Sequence, residues 1–360
     1  MADITQILNQ RMSRYERERA RLVEEYVTAA WKMWQSLSPA DWWNDAVTQG
    51  ASANLTSRYM AFVERMRRLG IAYADIALGL VGATAQGQLP EFEVVRDNTD
   101  PWKMMLRPVE SYRDASSKEP HLRPSAWEKL EADAQRSVDR WLEEANERLV
   151  DIIDTDSMIA GTRATLERYR GSGITRYRRV IHPELSKTGT CGLCVVAADR
   201  VYSIAALMPI HGNCHCTVLP ITEDNDPGLR LNDDDLKRIY KEAGGTTAAK
   251  LKQTRVLTLT NSEIGPVLSA KEVKPRKDVE WHQPDADMTR EQIQRMLERA
   301  NVFTEYYRKV ESTGKAEHFR YEEHTYHFEP SPHLKQALAA NLAFCLLYTS
   351  PSPRDISGSR

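Results

Sequence analysis

Four of the five cysteines fall in one 26-residue window, in the runs Cys191-Gly-Leu-Cys194 and His211-Gly-Asn-Cys214-His-Cys216. Thiolates are soft ligands. A C-x-x-C turn can aim both sulfurs at one ion, and two such turns suit a tetrahedral metal, above all Zn²⁺. Gly189 and Gly192 supply freedom for a tight turn. The second run offers His211, Cys214 and Cys216, with His215 beside them, which is more than the two positions a four-coordinate ion still has open. The firmest ligands are Cys191, Cys194 and Cys214, and the fourth is Cys216 or His211. In an extended Cys214-His215-Cys216 the two sulfurs share a face, which favours the all-cysteine set. A coordination sphere filled by protein is closed, so the site reads as structural rather than catalytic. Serine at Cys191 or Cys194 is expected to unfold this module. A redox C-x-x-C would need a thioredoxin-like strand–motif–helix context, which does not surround it.

Other chemistry is harder to find. The chain has no G-x-S-x-G elbow and no phosphate-cradling glycine loop. Glu323-His324-Thr-Tyr-His327 is not H-E-x-x-H, and on an alternating strand His324 and His327 face opposite sides. His182, before Pro183, reads as a turn residue near the cluster. A zinc-bound His-Asn-His nuclease would need an Asp-His pair at the metal, and none lies near this one. No nucleophile–base pair or open metal site is recognisable, so the chain does not read as an enzyme. Arg176, Arg178 and Arg179 form a small basic patch on an alternating strand, expected to be solvated and available for a weak contact with DNA.

The surrounding elements are mainly helical. Residues 3–36 carry apolar side chains at three-to-four spacing (Leu8, Met12, Tyr15, Leu22, Tyr26, Trp34), with charge on the other face. Ser38-Pro39-Ala-Asp41 is a helix start, and further helices are predicted over 55–81 and from Ser125 to about Asp151, continuing to Tyr169. Five prolines between 86 and 124 predict a long ordered loop or hinge. Residues 174–181 read as a strand, Asn232-Asp-Asp-Asp as the cap of a short helix, 255–260 as a strand, 289–309 as a helix, 318–328 as a strand, and a last helix starts near His333. The expected fold is α+β, mainly α: a helical, partner-docking region over 1–170, a Cys/His metal module over 171–222 and a mixed region over 223–344. Residues 345–360 do not continue the preceding helix pattern. They resemble translated sequencing-adapter DNA and are expected to be a non-native tail, with the natural chain continuing past Phe344.

The 360 residues carry a net charge of −2, so no global attraction to nucleic acid or membrane is expected. No stretch of 18 apolar residues is present, which predicts no transmembrane helix. The N-terminus lacks the pattern of a signal peptide. Clustered rather than scattered cysteines do not read as a secreted disulfide framework. Synthesis in the cytoplasm is the expectation.

One block is more specific than these patterns. Arg178-Arg-Val-Ile-His182-Pro, Cys191-x-x-Cys194, Ala198-Asp-Arg200-x-Tyr202 and Pro209-x-His211-x-x-Cys214-x-Cys216-x-Val-x-Pro220 resemble the cysteine-rich region of phage Mu F-like minor head proteins, in the versions found in phages of actinobacteria. The match is detailed over residues 174–221. Leu231-Asn-Asp-Asp-Asp-Leu and Glu263-x-Gly-Pro-Val-Leu are similar to the segments C-terminal to that region in those proteins. The resemblance implies a minor capsid protein of a tailed double-stranded DNA phage, acting in head morphogenesis. Its implied partners are the portal protein and scaffold or major capsid protein. Its implied place is the host cytoplasm during assembly and then the capsid interior of the virion. Within that family the alternatives are a capsid maturation protease, or the carrier region of a fused toxin or transferase. The resemblance supplies no catalytic residue. It supports only Cys191, Cys194, His211, Cys214 and Cys216 as metal positions.

Overall fold

A computed structural model describes residues 4–87, 94–185, 191–211, 214–241, 257–269 and 280–349, apart from 125, 128, 129, 199, 234, 238 and 240. The expected Gly189 turn, the helix end at Gly244-Gly245 and residues 350–360 of the tail lie outside the described residues. The fold is α+β and mainly α, with 66% of the described residues helical and small sheets of two or three strands. Among the described residues no helix is long and apolar enough to cross a membrane.

The helices are α1 (Ile4–Gln35), α2 (Asp45–Leu80), α3 (Pro101–Ser117), α4 (Ala132–Gly171), α5 (Gly192–Ala198), α6 (227–233), α7 (Ala286–Thr313) and α8 (Leu334–Thr349). The strands are β1 (Arg176–Val180), β2 (Val201–Ser203), β3 (Thr217–Ile221), β4 (Leu257–Asn261), β5 (Gly265–Ser269), β6 (Glu317–Tyr321) and β7 (His324–Phe328). The chain divides into two compact units. One holds residues 1–24, 62–98 and 153–284, and the other 25–61, 99–152 and 285–360.

In the first unit an antiparallel sheet in the order β2-β1-β3 is the platform for the cysteines. Long helices supply its packing: Met12, Tyr15, Met66, Tyr73, Leu166 and Tyr169 are all buried. Tyr15 and Tyr73 lie ring to ring at 4.8 Å. The Tyr73 and Tyr169 hydroxyls both donate to the Val218 carbonyl on β3, at 3.0 and 3.2 Å, so buried polar tips are satisfied where helix meets sheet. Helices α2 and α4 approach closely at Gly70 and Gly161. A Cβ built on Gly70 would lie 2.4 Å from the Gly161 carbonyl oxygen.

The second unit has its own aromatic core. Phe303 packs edge-on against Trp102, Phe319, Tyr326 and Phe328, and Phe344 meets Trp102 at 5.0 Å. Three elements there differ from the sequence expectation. Residues 101–117 form a helix inside the stretch read as a proline-rich loop. The Asp100 side chain accepts from Lys103 N, Pro101 takes the first helical position where no donor is needed, and Pro108 is carried within the helix. Residues 317–328 are two strands rather than one, joined by a two-residue turn in which Glu322 adopts φ 53. The C-terminal helix does not stop at Phe344 but runs to Thr349, with Leu346 and Leu347 exposed.

Candidate metal centre

Each arm of the cysteine cluster is placed by a different local structure. Cys191 immediately precedes α5, and its carbonyl accepts the amide of Val195 at 3.1 Å. The three-residue spacing then turns Cys194 back onto the sheet within the first turn of the helix. His211 follows Ile210, which is tied on both sides to the β4–β5 hairpin: Ile210 N donates to Pro266 O, and Leu268 N donates to Ile210 O at 2.7 Å. Cys214 and Cys216 lie in the segment that leads into β3. Cys194, Cys214 and Cys216 are buried, and Cys191 is half-buried.

The sulfurs of Cys194, Cys214 and Cys216 all lie within 4.8 Å of one another. Those of Cys194 and Cys214 are 4.0 Å apart. Two thiolates at about 2.3 Å from a tetrahedral zinc sit roughly 3.8 Å apart, so this pair has nearly the spacing that one ion requires. His211 Nε2 is 2.8 Å from the Cys194 sulfur. Cys191 interacts with both Cys194 and His211 at the rim, and these hydrogen bonds hold its thiol down at about 3. Hydrogen bonds with Cys194 and Cys216 likewise hold Cys214 well below the usual thiol range, whereas its bonds with Cys191, Cys214 and Cys216, together with burial, push Cys194 up. Negative charge is thus favoured on some sulfurs at the expense of others, as expected where several thiols crowd one point.

The structure therefore gathers all five sequence-predicted positions around Cys194, with Cys194, Cys214 and Cys216 as the buried group that can hold a metal. His215 goes elsewhere. The alternation that puts Cys214 and Cys216 on one face turns His215 to the other, where its Nδ1 lies 3.2 Å from Arg19 Nη2 and 3.6 Å from Glu16 Oε2. Arg19 is itself buried and also bonds Asp154 and Ser157, both at 2.7 Å. His182 is buried and bonds the Thr217 hydroxyl at 2.9 Å. Among the distant histidines, His318 and His327 lie ring to ring at 3.9 Å across the β6–β7 hairpin, and His327 bonds Glu329.

Of the expected basic patch Arg176 is exposed, but Arg178 and Arg179 are not a solvated surface. Arg178 is 5% exposed and forks onto Asp226 at 2.7–3.0 Å. Arg179 is fully buried, with Nη1 3.3 Å from the Cys194 sulfur and 3.8 Å from that of Cys216. Asn232 was read as a helix cap; instead α6 begins at Pro227, with Asp226 accepting from Leu229 N at 2.9 Å. Asn232 is buried within α6 and ties three strands of backbone together. Its amide donates to Arg179 O and Ala198 O, and its oxygen accepts from Ile181 N. Residue identity carried no signal for these roles in Arg179 and Asn232. The hint was position alone, since Arg179 has the strand parity of Tyr177 and Ile181, both buried.

Comparison with known protein families, curated proteins and solved structures finds no match to this chain.

Proposed function

We propose that this chain is a minor capsid protein of a tailed double-stranded DNA phage, portal-associated and acting in head morphogenesis, and that its cysteine cluster is a structural zinc site. The observation that carries the reading is the Arg178–Pro220 block. Its cysteine and histidine spacing is similar to that of Mu F-like minor head proteins, and three of its cysteines, Cys194, Cys214 and Cys216, up to 22 positions apart in sequence, converge on one buried point. The donor chemistry fits the metal. Soft sulfur donors, one imidazole, tetrahedral spacing and burial favour Zn²⁺ over the hard cations, which prefer oxygen. Bound there, zinc would join α5, the Ile210–His211 segment and the entry to β3, and would supply folding free energy rather than reactivity. Recognition would then fall to the helical faces, with portal protein as the first partner and scaffold or major capsid protein as further ones.

Two measurements test this. Elemental analysis of the purified chain is expected to give about one zinc per molecule. Tagged chain expressed during phage growth is expected to co-purify with the portal protein and to be found by peptide mass spectrometry inside purified DNA-filled heads. A chain that is absent from particles and does not bind portal would overturn the capsid reading, and a metal-free chain would overturn the zinc reading.

A further inference from the structure

Arg179 is a buried cation whose side-chain hydrogen bonds, among the described residues, go only to sulfur. Its Nη1 lies 3.3 Å from Cys194 Sγ and 3.8 Å from Cys216 Sγ, and its Nε and Nη2 have no hydrogen-bond partner. It pairs with no carboxylate among the described residues, in contrast to Arg178 one position earlier, which holds Asp226. A guanidinium stays protonated in any folded protein, and a buried charge without a counter-charge is strongly disfavoured. The counter-charge must therefore come from the sulfurs. Thiolate, not thiol, supplies it, and metal binding holds every ligand sulfur as thiolate. Zn²⁺ with three thiolates and a histidine carries −1, and with four thiolates −2, so either composition leaves an anionic centre against Arg179.

The placement is built in. Arg179 sits on the central strand, in register with Val218 on β3. Its carbonyl is held at 2.7 Å by the buried Asn232 amide. The side chain ends at the sulfurs of Cys194, on α5, and of Cys216, in the segment that leads into β3.

We propose that Arg179 is the counter-cation of the metal centre, donating N–H···S bonds to the Cys194 and Cys216 ligand sulfurs and setting how tightly the ion is held. This rests on the zinc reading above and adds a residue outside the ligand set. N–H···S bonds also draw charge from those sulfurs, which makes them poorer nucleophiles and keeps the centre structural.

The test uses the full chain, purified with zinc, as wild type, Arg179→Met and Arg179→Lys. Retention of zinc against a competing chelator is the readout, and circular dichroism checks the fold. Methionine fills the space of the arginine stem without charge, and lysine keeps the charge without the fork. A counter-cation predicts the order wild type, then lysine, then methionine, with methionine weakened about 10–100-fold and lysine within about threefold of wild type. A residue that merely fills space predicts the reverse order of the two variants. A folded Arg179→Met that holds zinc as wild type does overturns the proposal. Where Arg179→Met does not fold, lysine decides: retention within about threefold supports the charge, and a loss of tenfold or more overturns it. A wild type that binds no zinc is a failure of the metal reading itself, seen before any variant is compared.

Discussion

Cys194 is the hub of the cluster. It approaches His211, Cys214 and Arg179, and it is 2% exposed. Cys191 stands at the rim, where it interacts with Cys194, His211 and the Leu193 backbone. The sequence places both cysteines on an equal footing as one knuckle, but the geometry ranks them. Cys194→Ser is expected to abolish zinc binding and to expose the remaining thiols to alkylation, because a serine hydroxyl is a poor ligand and the three-sulfur group is broken. Cys191→Ser is expected to keep Cys194, Cys214, Cys216 and His211 available, and so to retain measurable zinc with weakened affinity. Zinc content and thiol-alkylation rates of the two variants check this. Equal loss in both would return Cys191 to the inner set and displace His211.

At the scale of elements, the metal platform depends on two close fits that carry no chemistry. Asn232 satisfies Ile181 N, Arg179 O and Ala198 O at once. Asn232→Ala removes this partner, leaving Ala198 O to Arg178 Nη1 at 3.4 Å, and is expected to cost roughly 3 kcal/mol, read as a lowered denaturation midpoint. At Gly70 an added methyl meets the Gly161 backbone at 2.4 Å, and backbone cannot swing aside as a side chain does. Gly70→Ala is expected to destabilise by about 1–3 kcal/mol, even though alanine favours helix, because overpacking outweighs propensity here. An unchanged melting temperature would mean that α2 and α4 separate at little cost. The elements were legible in the sequence where periodicity was long and uninterrupted. The apolar stripe of α1 and the Asp285-capped α7 are examples. They were illegible where a local cue was overruled. Five prolines read as a loop, yet Asp100 and Pro101 make a sound helix start and α3 buries Trp102, Met105 and Tyr112. The β6–β7 turn lacks the Asn-Gly or Asp-Gly signal, since Glu322 takes the positive φ. The cysteines were legible because their spacing has few other uses. Arg179 was not, because a charged residue on an alternating strand ordinarily faces water, and only the tertiary arrangement shows that it faces sulfur.

Across the whole molecule, buried tyrosines set a limit on the alkaline side. Burial pushes Tyr112, Tyr326 and Tyr348 up to about 12. Burial also holds Tyr15, Tyr73, Tyr169 and Tyr307 well above the usual range, because desolvation disfavours the phenolate. In an unfolded chain the same side chains lose their protons near pH 10. Below that pH both states keep the proton and these tyrosines contribute no pH dependence. Above it the unfolded state binds fewer protons than the folded one, so the stability of the folded state falls as pH rises through the range from about 10 to 12. Because both units contain such tyrosines, the effect is not confined to the metal module. None of the described tyrosines is fully exposed, so alkaline titration is expected to show the buried ones ionising late, above pH 10, in the same cooperative step in which helicity is lost. Tyrosinate absorbance and far-ultraviolet circular dichroism, recorded on one sample, measure both. If all the tyrosines ionised in a single phase near pH 10 while the helical signal persisted, the packing of these rings would be looser than their burial requires.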